Sequence, residues 1–171
     1  MLALSPLSAA LPMQDTEQMR VRPTTEAQAV AEFEATCVKG LYDLETLKRN
    51  AGASSRGYRY LEGSGEGWRN WISSYGSIHY LRTPDATGLA PRCNMTSFTR
   101  AKVDRGALEV ALRAMAKRQA GRGYTELREN RGLAWSWFAS ADHPMTVEIV
   151  LDKKTPQQII LMLKPFAVKP D

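Results

Sequence analysis

The sequence predicts an α+β fold: a two-layer sandwich of one antiparallel sheet, with about five to seven strands, and three helices packed mainly on one face. Two observations carry this prediction. The stretch Tyr124–Phe166 holds four successive strand patterns joined by short polar loops, and three amphipathic helical stripes precede it. These loops are too short for the long crossover that parallel strands need, so the four C-terminal strands are predicted to form an antiparallel meander.

The strands of the meander are located by the alternation of their side chains. They are predicted over Tyr124–Arg128, Leu133–Ala139, Met145–Leu151 and Gln158–Lys164. The last of them has apolar residues on both faces, which is typical of a central strand or of one covered by helices.

Capping residues locate the helices. Thr25 and Gln28 have capping-box spacing, which predicts the start of the first helix. A second helix is expected over Asp43–Ala51, with Gly52 closing it, and Asp104 is the expected N-cap of the third. The apolar stripes of the first and third helices consist of Val30, Phe33, Cys37 and Leu41, and of Leu108, Ala111, Leu112 and Met115.

The middle of the chain has weaker signals. Gly52–Gly67 is rich in Gly and Ser and is predicted to be a loop that contains at most a short strand around Tyr58–Tyr60. Trp68 and Trp71 mark the return to packed structure. Two further strands are predicted, over Ser77–Arg82 and Arg92–Thr99.

Length and composition are those of an ordinary globular protein. The 171 residues are enough for one domain, which we place over residues 24–171. A net charge of +5 allows an anionic partner without requiring one. The hydrophobic fraction of 43% argues against disorder, and no apolar run is long enough to predict a transmembrane segment. Oligomeric state does not follow from the sequence.

Residues 1–23 differ from the rest and are predicted to be a flexible segment. Met1–Gln14 carries no charge, and its leucines flank Ser8, Ala9 and Ala10, as in the late part of an export signal that ends in small residues. The basic beginning of such a signal is missing, which a start codon assigned too far downstream would explain. A frayed N-terminal tail is the alternative.

The two cysteines are predicted to form a Cys37–Cys93 disulfide if the chain is exported. Two buried thiols that behave as small hydrophobic side chains are the alternative. Two Cys and two His match no zinc spacing, so no metal site is expected, and the sequence carries no cofactor signature.

Catalytic motifs are absent from the sequence. His79 and His143 are the candidate bases, but no nucleophile is identifiable beside either, and His143 lies in a turn-like stretch. Gly63–Gly67 lacks the Lys-Ser/Thr ending of a phosphate-binding loop and is interpreted as a flexible linker.

A basic segment offers a candidate surface for an anionic partner. Residues 100–131 contain nine Lys or Arg against four acidic residues. The candidate patch consists of Arg113, Lys117, Arg118 and Arg122. Lys and Arg near a helix C-terminus also complement the helix dipole and keep an exposed face soluble, which is the alternative.

Aromatic residues offer a candidate groove. Trp135 and Trp137 share one strand face, and further aromatic residues gather in the middle third of the chain. We define the candidate groove as Tyr80, Trp135 and Trp137, with core packing of these residues as the alternative.

Three functional hypotheses follow. The first is an exported, periplasmic or secreted, non-enzymatic domain that binds or inhibits an unknown protein or small ligand. The second is a cytoplasmic module that binds nucleic acid or another polyanion through the basic patch. The third is a small enzyme whose site is dispersed in sequence, with His79 or His143 beside an acid.

Overall fold

The computed structural model describes residues 21–61, 67–82, 91–120, 122–129, 132–138 and 144–165, and for 122–129 and 132–138 it describes the backbone and its pairing. The strands are β1 (Arg59–Leu61), β2 (Trp68–Ser73), β3 (Gly76–Leu81), β4 (Arg92–Phe98), β5 (Arg122–Glu129), β6 (Gly132–Phe138), β7 (Pro144–Val150) and β8 (Gln158–Lys164). All eight lie in one sheet, in the spatial order β1-β2-β3-β4-β8-β7-β6-β5, and every neighbouring pair is antiparallel.

The α+β class and the C-terminal meander are confirmed. Strands β5 to β8 pair in succession, and β8 lies in the centre of the sheet between β4 and β7, as the apolar residues on both of its faces indicated. The sheet has one strand more than the upper end of the predicted range, because Trp68–Ser73 forms β2. The short strand expected around Tyr58–Tyr60 is β1.

The first helix begins where its capping box predicts. The Thr25 side chain accepts from the Gln28 N–H, and the Gln28 side chain accepts from the Thr25 N–H. α1 (Glu26–Phe33) then continues into a π-helical turn over Glu34–Val38. This turn carries Cys37, whose side chain faces the sheet.

The other two helices also begin at the predicted caps. α2 (Leu44–Ala53) is capped by Asp43, and α3 (Arg105–Gln119) is capped by Asp104. The expectation that Gly52 closes the second helix is wrong, since α2 includes Gly52 and ends one residue later.

The two halves of the chain repeat one arrangement, in which helices precede a four-strand meander. The strands β1 to β4 follow α1 and α2, and β5 to β8 follow α3. The last strand of each meander, β4 or β8, pairs with the other through six residue pairs. Antiparallel pairing of two equivalent strands gives the topology a local two-fold symmetry.

The helices cover one face of the sheet, and the core lies between the two layers. On that face the central strands contribute fully buried side chains, while His79, Asn94, Ile160 and Met162 on the opposite face are half-buried. The buried sheet residues include Ile78, Tyr80, Cys93, Met95, Val147, Leu161 and Leu163, and they pack with residues of the helical side that include Phe33, Leu41, Leu47, Leu108, Leu112 and Met115.

A disulfide joins Cys37 to Cys93, as predicted, and links the helical layer to the sheet. Cys37 follows α1, Cys93 lies in β4, and both side chains are completely buried. Because the two residues are 56 positions apart, the chain-entropy account assigns the bridge about 4 kcal/mol of the free energy of unfolding.

The end of the predicted N-terminal segment 1–23 is bound to the fold. The Arg22 N–H donates to the Ser74 carbonyl at 2.6 Å, and the Thr24 N–H donates to the Phe98 carbonyl at 2.7 Å. Residues 1–20, on which the predicted export signal falls, lie outside the described residues.

Two glycines provide a matched pair of stability predictions. A Cβ at the buried Gly40 would lie 2.7 Å from the Leu47 Cα, so we expect Gly40→Ala to lower the free energy of unfolding by about 1–3 kcal/mol. No atom lies within 4 Å of a Cβ built on Gly52. Because glycine is unfavourable in a helix, Gly52→Ala is expected to raise the free energy of unfolding by about 0.5–1 kcal/mol. Denaturant unfolding of the two variants measures both effects, and changes of the same sign would contradict this packing.

Candidate functional site

A cleft opens at one end of the sheet, between α2 and the first two strands. Its volume is about 440 Å³. We call it the edge cleft, and it is lined by Lys48, Gly52, Tyr58, Tyr60, Arg69 and Trp71.

Local structure explains why these six side chains meet. The two residues from α2 are four positions apart and therefore share one helix face. The two tyrosines are two positions apart, as are the two residues from β2, so each pair lies on one side of its extended segment. Tyr60 pairs with Trp71 across β1 and β2, and Trp71 pairs with the core residue Ile78. The cleft therefore lies on the helix-covered side of the sheet, where α2 leaves the edge strands open.

Aromatic rings form the floor and one lip of the cleft. Tyr58 and Trp71 are 6% and 3% exposed, whereas Tyr60 is 45% exposed. The ring centroids of Tyr60 and Trp71 are 5.4 Å apart, with the ring planes inclined by 57°. Aromatic pairs in such tilted arrangements attract by about 0.5–1.5 kcal/mol beyond their burial. The exposed Tyr60 ring is thus held against a buried one.

Two cations line the cleft, and no carboxylate among the described residues does so. The Arg69 guanidinium donates from Nη1 to the Trp68 carbonyl at 2.8 Å, which orients the group without neutralising it. Lys48 Nζ lies 2.7 Å from Glu45 Oε1, but these side chains are 44% and 78% exposed, and exposed pairs of this kind contribute little. The described residues that line the cleft therefore carry a net positive charge.

A buried ion pair fixes the segment that leads from α2 to Tyr58. Arg56 Nε lies 3.5 Å from Glu32 Oε2, and the two side chains are only 10% and 13% exposed. The Ser54 hydroxyl donates to Glu32 and the Arg56 guanidinium donates to the Thr24 hydroxyl oxygen, both at 2.7 Å. Removing one member of a buried pair typically costs about 3–5 kcal/mol. This network therefore holds the wall of the cleft in place.

Tyr58 forms part of the cleft floor and does not titrate near neutral pH. Burial, with the nearby Glu32 carboxylate adding to its effect, raises the pKa of Tyr58 to about 12. The phenol is therefore neutral at physiological pH. The floor of the cleft is an uncharged aromatic surface.

The structure does not place Tyr80 of the predicted aromatic groove in this cleft. Tyr80 is 3% exposed, and its hydroxyl donates to the Leu41 carbonyl at 3.1 Å, so it is a core residue. Trp135 and Trp137 lie on β6, which pairs with β7, and their side chains lie outside the described part of the chain. The edge cleft takes its aromatic side chains from the cluster in the middle third of the chain.

The predicted basic patch contributes contacts within the fold. Arg118 Nη2 lies 2.6 Å from Glu34 Oε2, which attaches the end of α3 to the π-helical turn. Arg113 and Lys117 also interact within the chain, and the Arg122 side chain lies outside the described residues.

His79 lies on the sheet between two neutral partners. Its Nδ1 is 2.7 Å from the Asn70 Oδ1, and its Nε2 is 2.9 Å from the Ser77 hydroxyl. Because the Asn70 oxygen can only accept, Nδ1 carries the proton and Nε2 accepts from Ser77. Among the described residues, no carboxylate hydrogen-bonds to His79. His143 and residues 62–66 of the glycine-rich stretch lie outside the described residues.

Other indications of function are few. Within the described ranges, no group of three His, Cys, Asp or Glu residues could hold a metal ion, and no helix is long and apolar enough to cross a membrane. No protein-family model, curated protein or solved structure matches the chain. Among the described residues, the edge cleft is therefore the feature that bears most directly on function.

Sequence reasoning missed the two cations and the glycine of the cleft. The available signals were the spacing of Tyr58 and Tyr60, which suits one side of an extended segment, and the presence of Trp71 in the same aromatic cluster. Lys48 and Arg69 are far from each other in sequence, and only the packing of α2 beside β2 brings them to one cleft.

His79 generates a prediction about pH. Burial lowers the pKa of His79 below its ordinary value of 6.5, so the unfolded chain takes up the proton before the folded chain does. The contribution of His79 to stability is therefore complete above pH 6.5 and is lost as the pH falls from there through the lower pKa of the folded state. We expect the urea midpoint to fall less on acidification for His79→Gln than for the wild type, which retains both histidines. An equal fall in the two proteins would contradict the prediction.

Proposed function

We propose that the protein is a non-enzymatic binding domain, exported to the periplasm or secreted, that holds a small ligand in the edge cleft. The observation that carries the proposal is the combination of an aromatic floor, an exposed ring at the lip and two cations in one concave site. Small-molecule sites typically occupy about 300–1,000 Å³, are mainly apolar and have a few polar groups. The edge cleft fits this description.

The chemistry of the lining favours binding over catalysis. General acid–base catalysis needs a group whose pKa lies near the working pH. Tyr58, with a pKa raised to about 12, is far from that condition. Arg69 cannot transfer a proton at physiological pH, and Lys48 is an exposed cation beside Glu45.

The disulfide supports the exported location. Disulfides form and persist in oxidising compartments such as the periplasm and the extracellular space, and they are rare in the reducing cytosol. The Cys37–Cys93 bridge joins α1 to the centre of the sheet, so the fold uses it as a structural connection. A periplasmic or secreted protein keeps such a bridge without continuous reoxidation.

A fragment screen by NMR tests the binding proposal. The probes are small one-ring compounds, half of them neutral and half anionic. We expect several of them to bind the wild-type protein, and we expect Gly52→Leu to weaken their binding at least about tenfold, because the new side chain occupies the open space beside Gly52.

The matched control is Ala53→Leu, which adds the same side chain at the next, exposed position of α2, outside the cleft lining. It should bind the probes as the wild type does. Binding that survives in Gly52→Leu would place the ligand elsewhere, and a screen without any binding compound would overturn the proposal.

The intact mass of the protein purified from its own cells, without reducing agent, tests export. We expect a chain that lacks the Met1–Ala10 region and two thiol hydrogens, because export would remove the leader and oxidise both cysteines. A full-length chain with two free thiols would contradict export while leaving the cleft proposal untouched.

A further inference from the structure

We infer that the edge cleft selects a ring-bearing organic carboxylate, with the ring against Tyr60 and the carboxylate beside Arg69 and Lys48. The inference rests on the proposed function and adds the chemical class of the ligand. It combines three features that the structure places together: two cations with no carboxylate among the described lining residues, an aromatic surface and space for a small molecule.

The charge argument begins with the state of Arg69. Its guanidinium is half-buried and its described hydrogen bond goes to a neutral backbone carbonyl, so its charge is not compensated there. The guanidinium is a planar fork whose remaining N–H groups match the two oxygens of a carboxylate. Lys48 adds a second positive charge to the same cleft, and its contact with the exposed Glu45 is of the weak surface kind.

A second cavity shows the contrasting arrangement. It has a volume of about 360 Å³ and contains the buried Arg56. There the guanidinium faces Glu32 in the same lining, so the positive charge is already matched within the fold. An anion therefore gains less binding free energy in that cavity than in the edge cleft, where the described lining contains no carboxylate.

The ring argument begins with Tyr60. Its ring is 45% exposed although it packs against Trp71, which leaves one part of the aromatic surface open to the cleft. Exposed aromatic rings at concave sites bind flat or weakly polar rings because both surfaces leave water on contact. One molecule that carries both a carboxylate and a ring can contact the cations and Tyr60 together, because these side chains line the same cleft.

Paired probes that differ in charge test this inference. Benzoate is compared with benzamide, and glucuronate with glucose, each titrated into the full-length oxidised protein by NMR or calorimetry. We expect at least one acid to bind about tenfold more tightly than its neutral partner, since charge-assisted hydrogen bonds are about twice as strong as neutral ones. A preference for benzoate identifies an aromatic acid, and a preference for glucuronate identifies a sugar acid; either result supports the inference.

Variants of the two cations assign the preference to the cleft. Arg69→Gln should reduce the binding of the acid by about tenfold, and Lys48→Gln by about two- to fivefold, with little change for the neutral probe. Lys48→Glu, at an exposed position that keeps the fold, should remove the preference. The control is Lys102→Gln, an exposed lysine outside the cleft lining, which should bind like the wild type.

The outcomes separate the two proposals. If acids and neutral probes bind equally and Gly52→Leu abolishes both, the cleft is a binding site but the carboxylate inference is overturned. If the acid is preferred but Lys48→Glu and Arg69→Gln both leave that preference unchanged, the inference is also overturned. If none of the four probes binds the wild type, the inference fails, and the wider fragment screen alone decides the proposed function.

Discussion

The pairing of β4 with β8 is the contact on which the rest of the structure depends. Each half of the chain supplies a four-strand meander, and only this ladder makes one sheet of them. It sets Met95 opposite Leu161 and Cys93 opposite Leu163, so the most deeply buried side chains of the two halves meet under the helices. A one-residue shift of this register would turn the apolar residues of one half toward solvent. The alternation within both strands therefore specifies the register as well as the strands.

The pairing of β4 with β8 also fixes where the helices lie on the sheet. The position of the helices in turn accounts for the cleft. The disulfide ties the end of α1 to β4, and α3 lies over β6 on the other side of the ladder. α2 follows the π-helical turn after a short link, and this link approaches α2 closely where Gly40 meets Leu47. Its other side faces β1 and β2, and a glycine at position 52 leaves space there. The cleft is thus a consequence of how far the centrally attached helices extend across an eight-stranded sheet.

The sequence specifies some of these elements locally and leaves others to tertiary packing. α3 and β8 could be predicted because a cap or an apolar pattern belongs to each of them alone. β2 could not be predicted in this way, because its buried positions include the polar residues Asn70 and Ser73. In addition, the spacing of Trp68, Trp71 and Ile72 also suits a helix. Only part of the cleft could be predicted from the sequence. The aromatic cluster was recognisable, but its proximity to Lys48 depends on the relative position of α2 and β2. The same limitation applies to Tyr80. The sequence allowed it to line a groove, but in the structure it is a core residue whose hydroxyl donates to the Leu41 carbonyl.

The ion-pair partners of each Arg and Lys, rather than the net charge of the protein, decide where an anion binds most favourably. Arg118 and Arg105 lie 2.6 Å and 2.7 Å from oxygens of Glu34 and Glu109, whose side chains are only 15% and 22% exposed, so these charges are matched within the fold. Lys48 has a contact of the same length, but its partner Glu45 is 78% exposed. Fully exposed cations are solvated by water, and an anion that displaces this water gains little. Arg69 belongs to neither group, because it is half-buried and bonded to a neutral carbonyl beside an aromatic floor. A carboxylate there loses part of its hydration but meets the Arg69 charge in a less polar environment, where the same attraction is stronger.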